Sequence, residues 1–84
     1  MHYYFTNRKR TIKAKTISQL ITWMRHYDLE HSDSNEHFMK LYAHRKWVFE
    51  QINIRYQSEE HFVQDLILAD IIQPVKRSIL GIAI

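Results

Sequence analysis

The chain has 84 residues, a formal net charge of +3, one Gly, one Pro and no Cys. That length suits one domain spanning residues 1–84, with a core that hides ~60–65% of the unfolded surface. Few chain breakers and 13% aromatic residues argue against disorder, while the lack of Cys excludes disulfides and thiolate metal sites and fits a reducing cytoplasm.

Charge is unevenly spread. Residues 1–15 hold Arg8, Lys9, Arg10, Lys13 and Lys15 and no acid, whereas the rest of the chain carries seven Lys/Arg against nine Asp/Glu. A basic segment on a mildly acidic body makes an anionic partner worth weighing. No basic-then-apolar leader is visible. The longest apolar runs, LILADII and ILGIAI, are far short of the ~20 residues that span a bilayer. The expectation is a soluble cytoplasmic protein without membrane contact.

HYYFT (2–6) is β-rich and TIKAK (11–15) alternates polar and apolar positions, so residues 2–15 are expected to form a β-hairpin around NRKR. No Gly offers an easy positive φ in that loop. A lone hairpin is marginal in water and needs a helix or third strand to cover its apolar face.

Thr16-Ile17-Ser18-Gln19 fits a capping box. It opens a helix expected over about 17–29, with Ile17, Leu20, Ile21, Met24 and Tyr27 on one face and Trp23 at its edge. The polar EHSDSNE follows as a loop. The stretch 36–56 contains neither Gly nor Pro, and Phe38, Tyr42, Phe49, Ile52 and Tyr56 recur at three- and four-residue steps. A long amphipathic helix over about 36–55 is expected there, with Tyr42 and Phe49 in the core. Ser58 caps a third helix over about 59–72, which Pro74 stops. The tail, 75–84, ends in six uncharged side chains and is expected to dock as a third strand beside the hairpin or as an arm on a second copy. The expected fold is α+β and predominantly helical, with an all-α bundle as the alternative.

Four constellations bear on function. Arg8, Lys9, Arg10, Lys13 and Lys15 form a phosphate-contacting finger if they project into solvent, with Tyr3 and Tyr4 available to stack on bases. The plainer reading is an edge strand kept soluble by its charge, with Tyr3 and Phe5 in the core. His26, Asp28, Glu30, His31, Asp33, Glu36 and His37 offer metal ligands but straddle a loop without an i,i+4 His pair, so no metal is expected. Asp65 and Asp70 diverge on their helix and are expected to face solvent. With no Cys nucleophile, no Gly-rich phosphate loop and no nucleophile elbow, neither catalysis, a cofactor nor a small-molecule substrate is expected. A helix-turn-helix is disfavoured by the acidic connection near HSDSN, and a ribbon-helix-helix dimer shares the element order alone. Among the aromatics, Trp47 lies off the Phe38–Ile52 line and is the best candidate for an exposed partner contact.

These observations lead to a small non-enzymatic protein that binds another macromolecule. The favoured form is a protein-interaction module or small inhibitor, acting on another protein or on its own copy through Trp47, Ile79, Leu80, Ile82 and Ile84. The alternative is a nucleic-acid-binding protein using residues 8–15.

Overall fold

A computed structural model describes residues 1–75. In chain order these form β1 (His2–Phe5), β2 (Arg10–Lys13), α1 (Ile17–His26), α2 (Asn35–Glu50), α3 (Glu59–Leu68) and β3 (Ile72–Val75). The fold is α+β, with the hairpin and three helices in the expected order. All strand pairs are antiparallel and the sheet order is β2-β1-β3.

Strand alternation divides the sheet into two faces. Tyr3 and Phe5 point inward, aligned with Ile12 and Arg10 on β2 and with Pro74 and Ile72 on β3. His2, Tyr4, Thr11, Lys13, Gln73 and Val75 occupy the opposite face by the same register. The inner face joins a core of Leu20, Ile21, Phe38, Phe62 and Leu66, all essentially without solvent contact. Phe38, Tyr42 and Phe62 interlock with centroids 5.6–6.2 Å apart, and such aromatic contacts add to simple area burial.

Each helix starts on a hydroxyl cap. Thr16 Oγ1, Ser34 Oγ and Ser58 Oγ accept from the backbone N–H of Gln19, His37 and His61, each at 3.1 Å. Gln19 Oε1 returns to the N–H of Lys15 at 2.7 Å, one residue before the cap it was expected to meet. Asn35, at the start of α2, joins all three helices. Its side-chain amide donates to Thr22 Oγ1 at 3.0 Å, the Ser18 carbonyl at 3.4 Å and Glu59 Oε2 at 3.3 Å.

All three helices end earlier than their apolar periodicity predicts. α1 stops at His26, before the expected Leu29. α2 was expected to reach 55 but stops at Glu50, where Gln51 turns left-handed (φ 58°). There the N–H of Gln51 bonds the Trp47 carbonyl and that of Ile52 bonds the Lys46 carbonyl, both at 3.1 Å. α3 was expected to reach 72 but ends at Leu68 in a Schellman motif. Asp70 is left-handed (φ 60°), its N–H bonds the Ile67 carbonyl at 3.0 Å, and Ile71 N–H bonds the Leu66 carbonyl at 2.9 Å. Buried Ile71 and Leu66 supply the apolar contact that accompanies this cap.

The early stop of α3 releases Ile72–Val75 to become the third strand, so β3 begins before the tail where a strand was expected. Pro74 fits there because, among the described residues, β3 has one neighbour in the sheet, and Pro is tolerated on an edge strand where its missing N–H faces away from the ladder. The hairpin loop is Thr6–Lys9, and Lys9 (φ 50°) supplies the positive φ that no Gly provides. No helix among the described residues is long and apolar enough to cross a membrane.

Candidate functional site

The apolar residues of α2 serve two different ends. Phe38, Met39 and Ala43 are buried, and no later residue of the helix is. The last two turns therefore leave the core, and Trp47, Val48 and Phe49 are 52%, 49% and 79% exposed. Successive helical residues are ~100° apart, so these three show apolar surface over more than half the circumference. Trp47 is exposed as expected. Phe49 was expected in the core and is not, because α1 and α3 pack on the earlier turns of α2, where Phe38 and Tyr42 meet Phe62. Tyr56, placed on the same stripe, is 48% exposed, since the chain has left the helix by Gln51.

Trp47 and Tyr56 flank a shallow groove between α2 and the non-helical segment 51–57, floored by Ala43 and Ile54 and rimmed by Lys40 and His44. That segment is fixed from the other side. Arg55 donates to Asp65 through its backbone N–H at 2.8 Å and its side chain at 2.9 and 3.0 Å. Asp65 was expected to face solvent. Instead its side chain is mostly covered, and the Arg55 guanidinium holds its carboxyl below the usual carboxylate range.

All five cations of the basic segment are exposed, and they divide between two directions. Arg8 and Arg10 fold back onto α1: their guanidinium carbons lie 5.9 and 5.6 Å from the Trp23 ring centroid, and Arg10 is 5.9 Å from that of Tyr27. Arg8 also donates to the Tyr27 carbonyl at 3.2 Å. Arg10 lies on the same sheet face as Phe5, its partner in register, and remains exposed there. Lys9, Lys13 and Lys15 stay exposed, Lys13 on the outer face with half-buried Tyr4. Tyr3 is core, and burial raises its phenol above the ordinary value. Ile79, Leu80, Ile82 and Ile84 lie outside the described residues.

The ligand-rich connection is held by ion pairs. Arg45 grips both Asp28 oxygens at 3.0 Å and Glu30 at 3.4 Å, while His31 and Asp33 approach to 3.4 Å on the surface. Among the described residues no three His, Asp or Glu side chains converge on one point. Ser58 Oγ and His61 Nδ1 lie 2.6 Å apart, a nucleophile-and-base spacing. That hydroxyl is also the α3 cap, accepting the N–H of His61 itself, and no carboxylate bonds the far ring nitrogen among the described residues. The pair closes a helix turn.

A cleft missed by sequence reasoning lies between the hairpin tip, α1 and the end of α2, with a volume of about 270 Å³. Phe5, Trp23, Met24 and Phe38 give it an apolar floor, and Arg8, Asp28, Tyr42, Arg45, Lys46 and Glu50 line it with polar groups. Lys46 Nζ pairs with Glu50 at 2.6 Å. Burial, then the Glu50 and Asp28 charges, push the Tyr42 phenol up to about 12 against the opposing pull of Arg45 and Arg8. No sequence signal marks this cleft, because its members come from four separate segments.

Comparisons with protein-family models, with curated proteins and with solved structures gave no match to this chain.

Proposed function

We propose that this is a non-enzymatic protein-interaction module that engages another protein, or a second copy of itself, through the exposed end of α2. The observation that carries this reading is the run Trp47-Val48-Phe49, each about half exposed or more at a helix end beyond the core. Large aromatics on a rigid helix are the residues from which interface hot spots are built, because they add contact area at little cost in side-chain entropy. The adjacent groove by Tyr56 extends the surface and offers a partner's apolar side chain a seat. A role as a small inhibitor is the simplest form of such a module.

The test is capture by the wild-type protein and by a Trp47→Ala/Phe49→Ala variant, with light scattering of both over a concentration series. Loss of a specific partner, or of self-association, in the variant supports the proposal. Identical capture and identical mass would sink it.

Nucleic-acid binding is the second reading, supported by Arg8, Lys9, Arg10, Lys13 and Lys15, all exposed. None of the five pairs with a carboxylate among the described residues, and a log–log salt slope no steeper than about −4.5 is expected of five such contacts.

A further inference from the structure

We propose that the cleft between the hairpin tip and α2 binds a small apolar monoacid, a one- or two-ring compound whose single carboxylate is held by Arg8. The proposal stands apart from the interaction reading, and Phe49 alone is shared by the two surfaces.

Size sets the first limit. A volume of about 270 Å³ falls just below the ~300–1,000 Å³ of sites for drug-sized ligands, so the occupant is compact. The floor sets the second. Phe5, Trp23, Met24 and Phe38 present carbon to the interior, and the Trp23 ring already stacks tilted on Phe5 at 5.0 Å. A flat apolar body matches that surface better than a sugar or a polyamine does.

Charge sets the third. The lining holds three cations, Arg8, Arg45 and Lys46, and two carboxylates, Asp28 and Glu50. Arg45 is committed to Asp28 by a two-pronged pair and to Glu30 beyond the cleft, and Lys46 is committed to Glu50. Arg8 differs, since its partners are a backbone carbonyl and an aromatic face. It is the cation of the cleft without a carboxylate partner among the described residues. A guanidinium has five N–H donors in a fork matched to a carboxylate, and one bond to Tyr27 leaves most of them free. One uncompensated charge calls for one negative charge. A second would meet Asp28 and Glu50, which excludes polyphosphates.

Tyr42 completes the site. Its hydroxyl makes no hydrogen bond among the described residues although the ring packs beneath Arg45 and Lys46 at 5.7 and 5.6 Å. As a neutral phenol it can donate to the second carboxylate oxygen without adding charge.

The test uses two matched pairs of probes, benzoate with benzamide and naphthalene-2-carboxylate with naphthalene-2-carboxamide, measured by calorimetry and by amide chemical shifts on the full chain. Within at least one pair the acid is expected to bind about tenfold or more tighter than the amide, with shifts centred on Trp23, Asp28 and Arg45. Arg8→Gln, an exposed loop change that leaves the core intact, should reduce the difference to under about twofold. Tyr42→Phe should weaken the acid about threefold and leave the amide unchanged. Failure of both acids to bind at millimolar concentration would overturn the proposal. So would equal affinity within both pairs, an acid preference that survives Arg8→Gln, or shifts confined to the Trp47–Tyr56 groove.

Discussion

Phe62 and Phe49 are the same residue type on neighbouring helices, yet truncation should cost several-fold more at one than at the other. Phe62 has no solvent contact, and its ring meets Phe38 and Tyr42 at 6.2 and 5.6 Å. Removing it to Ala should cost about 3–5 kcal/mol, comparable to the whole stability that a small single core provides. Phe62→Leu keeps a folded baseline. It forfeits two aromatic contacts of about 0.5–1.5 kcal/mol each, so a loss of about 1–3 kcal/mol is expected. Phe49 is 79% exposed, which leaves about a fifth of its surface hidden. At about 1.5–3 kcal/mol for full burial of Phe, Phe49→Ala should cost no more than about 0.3–0.6 kcal/mol. Urea unfolding at 25 °C, with equal slopes for all variants, reads both values directly. A Phe49→Ala loss above about 2 kcal/mol would show a core residue, and the division of α2 into a buried half and an exposed half would be wrong.

Three further outcomes follow from single features. Asp65 has a depressed carboxyl because Arg55 bonds it; a depressed folded-state value gives stability that is present above the unfolded value near 3.8 and is lost as pH falls through the folded one. Carboxyl-carbon NMR should show Asp65 titrating below 3.8 in the wild type and at a higher pH in Arg55→Ala, and an unchanged midpoint would count against the pair. Tyr42, raised to about 12, should be the last resolved phenol to ionise in an ultraviolet titration; its contribution is whole below the unfolded value of 10.0 and disappears as pH rises toward 12. Gln51→Val should lower stability by about 1–2 kcal/mol by forcing a branched residue into the left-handed cap, whereas Gln51→Gly should be neutral or mildly stabilising; equal stabilities by urea unfolding would refute the cap.

The helix starts were legible because Thr16, Ser34 and Ser58 are hydroxyl caps written into the local sequence. The helix ends were not. Gln51 and Asp70 adopt left-handed geometry that Gly would have announced, and the apolar pattern runs on through both positions although the helices do not. Periodicity marked the stripe Phe38, Tyr42, Phe49, Ile52 and Tyr56 but could not say how far along it a covering layer reaches. The core accepts Phe38 and leaves Phe49 and Tyr56 outside. Exposure of Trp47 was legible because it lies off that stripe. The directions taken by the basic side chains were not legible either. Counting charges between 8 and 15 does not reveal that register sets Arg10 on the α1 side of the sheet, over Trp23 and Tyr27. The cleft was hidden altogether, since Arg8, Asp28 and Arg45 meet through tertiary packing alone.

The central claim is that Trp47 lies free on the folded protein until a partner covers it. Acrylamide quenching in a Trp23→Phe background, where Trp47 is the remaining tryptophan, measures this directly. Strong quenching in dilute protein, falling severalfold as the captured partner is added or as the chain is concentrated into its own dimer, is the predicted result. Quenching that is already weak in dilute monomer, or that stays strong in the purified complex, would contradict the account.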